Sequence, residues 1–386
     1  MKRPLNIEVR GIGFPNKGAE LMLLSICSQV EQRYPGSRVC LSPKLPFRFR
    51  KNYPTYQIAR IVRFGFDFGR FFYLLPKKLR EMFGIVMPRE LDVLMDASGF
   101  AYGDQWSGGG GLDVSAAEVV QFKRNGNRKV ILLPQAMGPF SDDRLIQNVY
   151  QIIQSADLVY VRDSSSMAYT RELTDSEHIR QAPDFTNLLE VGNHKSVVKD
   201  PLAIHFIPNS KMLEMKNGAE SGCYEGFMAD LIKKAKNAGF KPLLLIHEGD
   251  NDVELARRIA ELSEIDVPIM RPESAAEVKE VIATAKLVVS SRFHGLVSAL
   301  SQGIPVIATG WSHKYQCLLD DYGVGQYIFD EREDLHAAVD AMLNLLREEQ
   351  VYQDTVNTIL RCSVLEKQRS IDMWAEVFGL LDELNG

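Results

Sequence analysis

LVVSSRFHGLVSALSQGIPVIATG, residues 287–310, holds a complete unit of architecture. Leu287 to Val289 is a short apolar, β-branched run that ends at two serines. Gly295 to Ser301 has helical spacing, and Val306 to Thr309 is apolar and β-branched again. A strand, a helix and a second strand in immediate succession make a βαβ unit, and hence a parallel sheet. The turn between the first strand and the helix carries Ser290, Ser291, Arg292 and His294. Serine is a good helix N-cap, and the backbone N–H groups of a helix start attract anions. Arg292 and His294 therefore emerge at the carboxyl end of a strand, beside an anion site. Taken singly, Arg292 reads equally well as the partner of an acid, and His294 as a polar helix-start residue. The second strand leads to Thr309-Gly310-Trp311-Ser312-His313-Lys314. In a doubly wound sheet it opens onto the same rim, where Lys314 adds a further cation.

The same alternation extends outward in both directions. Towards the N-terminus, strands are predicted at Leu202 to Ile207 and Pro242 to Ile246, with helices near Gly226 to Ala238, Val253 to Leu262 and Ala275 to Ala283. Before a polar linker at Gly192-Asn193-His194-Lys195, further strands are expected at Leu5 to Val9, Leu91 to Asp96, Lys129 to Leu133 and Leu158 to Val161. Helices are expected at Ala19 to Gln32, Ala116 to Arg124 and Arg144 to Ser155. The chain thus reads as an α/β protein of two Rossmann-like, doubly wound domains, 1–195 and 196–333. A helical tail, 334–386, is expected to pack back across them. Ligands of such sheets bind outside the carboxyl ends of the strands, so the cleft between two facing halves is the natural site.

In the first half, Gly11-Ile12-Gly13-Phe14-Pro15-Asn16-Lys17-Gly18 lies between a strand and a helix, the position of a phosphate loop. Asn16 stands where a third glycine would complete the fingerprint, so a plain tight turn remains an open reading. Asn16, Lys17 and Glu20 are candidate acceptor or loop residues. Asp96 and Ser98 end a second strand, Gln135 to Pro139 a third, and Arg162-Asp163-Ser164 a fourth. Gly108 to Gly111 is either a lid or backbone exposed to ligand.

Lys44 to Arg80 is set apart by ten Lys/Arg against the single acid Asp67, and by ten aromatics. It reads as a helical or irregular insertion. Either its aromatics face the core and its cations are solvated, or it is a surface that touches anionic lipid or a lipid-linked acceptor. The rest of the 386-residue chain offsets it, for the net charge is −5. That balance does not favour nucleic acid as a partner. No apolar run follows Lys2-Arg3, and no window is long and apolar enough to span a bilayer, so neither a secretory signal nor a transmembrane helix is expected. The five scattered cysteines suit a reducing cytoplasm. No Cys/His cluster has ligand spacing, so neither metal nor cofactor is expected.

Together these motifs resemble the polysaccharide pyruvyl transferase family. Ser291-Arg292-Phe293-His294, Gly303-Ile304-Pro305 and Lys314 are similar to its C-terminal signature. Val161-Arg162-Asp163 with Ser166, Gln135 to Pro139 and Pro183-Asp184 are similar to its other motifs. The chain departs from the family pattern at Gly18-Ala19-Glu20 and at Asp96-Ala97-Ser98-Gly99. The resemblance covers roughly Gly11 to Gly323. It implies a GT-B-like fold and transfer of pyruvate from phosphoenolpyruvate to two hydroxyls of a sugar, as a ketal. The acceptor would be a cell-surface polysaccharide or its lipid- or nucleotide-linked precursor. The enzyme would be cytoplasmic, with peripheral contact at the inner face of an anionic membrane. Such chemistry needs cations for a carboxylate and a phosphate, which assigns Arg162, Arg292 and Lys314, with Ser290 and Ser291, to the donor. It also needs a proton carrier that titrates near neutrality, which assigns His294 to catalysis. A GT-B-type glycosyltransferase using a nucleotide sugar and a non-catalytic glycan- or anion-binding protein are the alternatives.

Overall fold

Lys129–Gln135 is buried along its whole length. A strand with no solvent-facing side belongs in the middle of a sheet covered on both faces, as parallel sheets are. A computed structural model of the chain describes residues 2–63, 66–105, 111–124, 126–190, 199–215, 221–310 and 312–385. Its strands are β1 Asn6–Arg10, β2 Arg38–Leu41, β3 Thr55–Ile58, β4 Val62–Arg63, β5 Phe66–Asp67, β6 Ile85–Val86, β7 Val93–Asp96, β8 Lys129–Gln135, β9 Leu158–Val161, β10 Ile179–Gln181, β11 Ala203–Ile207, β12 Lys241–Leu245, β13 Ile269–Met270, β14 Leu287–Ser290 and β15 Val306–Ala308. Its helices are α1 Lys17–Arg33, α2 Phe47–Arg50, α3 Lys77–Met82, α4 Gly111–Arg124, α5 Asp143–Ser155, α6 Ser164–Leu173, α7 Lys211–Met215, α8 Ser221–Asn237, α9 Asp250–Ser263, α10 Ala275–Ala283, α11 Phe293–Leu300, α12 His313–Asp321, α13 Leu335–Arg347 and α14 Glu349–Asp382.

The chain forms two compact units. The first comprises Met1–Phe14, Met22–Phe185 and Ser370–Gly386, and the second Pro15–Leu21 and Thr186–Arg369. The first turn of α1 therefore counts with the second unit, and the end of α14 with the first. The expected linker at Gly192 to Lys195, the glycines at 108–110, Phe64 and Trp311 lie outside the described residues.

The first unit is built on an eight-stranded sheet of order β10-β9-β8-β7-β1-β2-β3-β6, with its pairs parallel. From β1 the chain runs outward through β2, β3 and β6, then returns to β7 on the other side of β1. The topological switch point is therefore β1/β7, where doubly wound sheets place ligands. The second unit has a five-stranded parallel sheet of order β13-β12-β11-β14-β15, with its switch point at β11/β14. Helices cover these sheets because their apolar residues recur at helical spacing. In α5, Leu145, Val149, Ile152 and Ile153 are buried, and Asp142 caps the helix by accepting from the Leu145 amide at 2.8 Å. Each such side chain taken from water stabilises by about 1.5–3 kcal/mol. Among the described residues no helix is long and apolar enough to cross a membrane.

Seven strands go beyond the sequence reading: β2, β3, β4, β5, β6, β10 and β13. β3 lies inside the basic and aromatic segment 44–80, so that segment is not wholly an insertion. Thr55, Tyr56 and Gln57 pair with Val39, Cys40 and Leu41 as part of the main sheet.

Candidate active site

In the second unit, Ser290 ends β14 at the switch point and Arg292 is the N-cap of α11. The turn is tied from both sides. Ser290 Oγ accepts from the Arg292 amide at 3.0 Å. The Ser291 carbonyl accepts from Asn209 Nδ2 at 2.8 Å and from the Tyr315 hydroxyl at 3.0 Å. Ser291 Oγ is hydrogen-bonded to the Tyr224 hydroxyl. Both serines are fully buried. They build the turn, and their hydroxyls are occupied within it.

Arg292 is held by two carboxylates, Nη1 by Glu248 and Nη2 by Asp252. Asp252 is itself buried in the first turn of α9, and its Oδ1 also accepts from the Ser210 amide at 3.1 Å. Burial pulls the guanidinium pKa down, but Asp252 and Glu248 outweigh it and hold it above its ordinary value. The arginine is a fixed charge whose side chain is already neutralised. Glu248 and Asp252 escaped the sequence reading, although His247 and Glu248 directly follow an apolar strand just as Arg292 and His294 do. His247 is also buried. Desolvation, and then the charges of Arg292, His294 and Lys17, hold it well below the usual histidine range, so it is neutral.

The start of α1 packs into the same unit. Asn16 caps it, accepting from the Gly18 and Ala19 amides at 2.9 and 3.2 Å. Lys17 Nζ donates to Glu20 at 3.0 Å and to the Glu273 carbonyl. The other oxygen of Glu20 accepts from the Ala275 amide at 2.7 Å, at the start of α10. Lys17 and Glu20 thus form a buried clip. Gly18 has a separate task. A Cβ placed there would stand 2.1 Å from His294 Nδ1. The imidazole, in the first turn of α11, therefore rests directly on the backbone of the first turn of α1.

Lys314 lies in the first turn of α12, with its ammonium 5.8 Å from the Phe293 ring centroid and 5.4 Å from that of Tyr315. The Phe293 ring in turn meets His294 edge-on at 5.6 Å. Arg292, His294 and Lys314 are thus brought together. The helices around them also share a trait. α9, α11 and α12, which follow β12, β14 and β15, begin without a side-chain cap, whereas α10 is capped by Ser274. Amides at an uncapped helix start are donors turned towards an anion.

In the first unit, Asp96, Gln135 and Arg162 are buried, and Ser98 is half-buried. Asp96 accepts from the Tyr102 hydroxyl at 2.6 Å, the Ser98 amide at 2.8 Å and Gln135 Nε2 at 3.1 Å. Arg162 pairs with Asp184 at 3.2 Å, and both are buried. Asp163 caps α6, and Ser166 accepts from the Met137 amide at 2.8 Å. Each of these strand ends is bonded to its neighbour, which fixes the rim of this sheet. At its switch point, Gly11 has φ +79°, and a Cβ would fall 2.2 Å from the Ser98 amide nitrogen.

Among solved structures, the chain is similar to a glycosyltransferase from Rickettsia africae ESF-5, at 11% identity and a TM-score of 0.58, with 98% of this chain and 99% of that chain covered. It is also similar to Anabaena Alr3699/HepE, solved with UDP and glucose, at 13% identity and a TM-score of 0.58, with 98% and 100% covered. Identity this low shows the fold, which is α/β and GT-B-like. No curated protein matches the chain. The family model described as polysaccharide pyruvyl transferase matches residues 16–313, from the cap of α1 to the start of α12. Nearly every residue described above falls within that span, and the chain belongs to the polysaccharide pyruvyl transferase family.

Proposed function

We propose that the protein transfers pyruvate from phosphoenolpyruvate onto two hydroxyls of a sugar, forming a ketal on a polysaccharide or its lipid- or nucleotide-linked precursor. The observation that carries this reading is one side chain's setting. His294 is seated on Gly18 in the first turn of the uncapped α11, and its ring meets that of Phe293, whose centroid lies 5.8 Å from the Lys314 ammonium in the first turn of the uncapped α12. Two open helix starts and a lysine suit a ligand with two anionic groups, a carboxylate and a phosphate. Arg292, paired with Glu248 and Asp252, anchors the turn that aims His294.

In the reaction, protonated His294 gives its proton to the methylene carbon of phosphoenolpyruvate, which leaves the neighbouring carbon electrophilic. A sugar hydroxyl adds to that carbon and returns its proton to His294. A second hydroxyl then displaces phosphate, which departs with that hydroxyl's proton.

Thermal shift tests the donor. Saturable stabilisation grows as RT ln(1 + [L]/Kd), so phosphoenolpyruvate should raise Tm beyond inorganic phosphate or UDP-sugars at equal concentration. A larger shift with a UDP-sugar would replace this reading with a glycosyltransferase one.

A further inference from the structure

The segment Phe66 to Phe83 inverts the usual placement of charge and apolar surface. In α3, Arg80 points inward, buried and paired through both Nη atoms with Glu90 at 2.9 Å. Leu79, Met82 and Phe83, spaced three and four residues apart, are exposed. The preceding 3-10 helix, Phe68–Leu74, brings every third residue onto one row. That row is Phe68, Phe71 and Leu74, all exposed, with the first two rings stacked at 6.4 Å. Phe66, Phe71, Leu74, Met82 and Phe83 are 66–81% exposed. Ten of the nineteen large apolar side chains exposed among the described residues fall between Phe47 and Phe83, so this is a concentrated patch and not scatter.

Cations border it. Lys44, Lys51, Arg70, Lys77 and Lys78 are exposed. The local acids are engaged: Asp67 accepts from the Ile61 and Gly69 amides, and Glu81 pairs with Arg38. A second copy of the same patch would set these cations against cations. We infer that this segment is a membrane-docking surface whose partner is the anionic face of a lipid bilayer. The Phe68–Phe71–Leu74 row and the Leu79–Met82–Phe83 stripe enter the interface, and Arg70, Lys77 and Lys78 meet lipid phosphates.

Vesicle flotation tests this with the full chain and no donor or sugar present, so its result is independent of the transfer reaction. The protein should float at low salt with phosphatidylcholine vesicles containing one third phosphatidylglycerol, and not with phosphatidylcholine alone. Arg70→Gln, Lys77→Gln and Lys78→Gln should each weaken binding about fivefold, and together about 10²-fold. Phe71→Ser with Leu74→Ser should weaken it at least about tenfold, with melting unchanged because both side chains are already exposed. Absence of binding to the anionic vesicles at low salt would overturn the inference. So would equal binding by the triple Gln variant. A dimer dissolved by Phe71→Ser and Leu74→Ser, without vesicle binding, would overturn it in favour of a second copy.

Discussion

Gly18→Ala tests the seat of His294 with one methyl group. The new Cβ would stand 2.1 Å from Nδ1 and 2.7 Å from two ring carbons, where ordinary contact begins at 3.4 Å. The imidazole must therefore withdraw by about 1.3 Å, the shortfall between those two distances. A misplacement of about 1 Å can cost 10²-fold in rate, equivalent to about 2.7 kcal/mol of transition-state stabilisation. In an ordinary helix the same change would stabilise, since alanine is favoured over glycine by about 1 kcal/mol. The two contributions separate in a double-mutant cycle. With His294 present, Gly18→Ala should lower kcat about 10²-fold, measured as phosphate released from phosphoenolpyruvate with a sugar acceptor. In the His294→Ala background the clash is gone, and Gly18→Ala should leave Tm unchanged or raise it. Parental turnover by Gly18→Ala, or the same loss of Tm in both backgrounds, would refute the reasoning.

Asp252→Asn should destabilise by about 1.5–3 kcal/mol, because it weakens one charge-assisted contact of Arg292 while Glu248 still pairs with it, and urea unfolding would measure the loss. Arg292→Ala should unfold as readily, so its effect on donor affinity is read only where the variant is still folded. His205 in β11 is held near a pKa of about 4 by burial, against a weaker upward pull from Asp200. The unfolded chain binds this proton below about pH 6.5 and the native state does not until about pH 4, so stability should fall as pH drops through that window. The full loss is about 3 kcal/mol, and a His205→Leu variant should show a shallower acid limb by circular dichroism. Lys314→Met should keep the fold and raise the Kd for phosphoenolpyruvate about tenfold or more, as loss of a charge-assisted contact requires.

The central strands of both sheets were legible because burial on two faces leaves an unbroken apolar run. Leu287–Ser290, Phe293–Leu300 and Val306–Ala308 fall where residues 287–310 place them. Several strands away from the sheet centres were not legible, although Val306–Ala308, an edge strand of the second sheet, was. Ile179–Gln181 and Ile269–Met270 are too short to carry a period, and Thr55–Ile58 is masked by the cations and aromatics around it. At the site, local pattern brought out Arg292, His294 and Lys314 because each follows a strand. It left out Glu248 and Asp252, which reach Arg292 only through folding. Ser290 and Ser291 looked like ligand contacts, but their hydroxyls serve the turn itself. The service of Gly18 to His294 is long-range, and a glycine in a strand-to-helix loop reads first as a turn residue.

The most direct test of the account is turnover. The purified protein is incubated with phosphoenolpyruvate and candidate lipid-linked or nucleotide-linked sugars, and both released phosphate and sugar-bound pyruvate are measured. The account expects the two products in equal amounts, dependent on the sugar and lost in His294→Ala. Release of UDP from a UDP-sugar without consumption of phosphoenolpyruvate would contradict it.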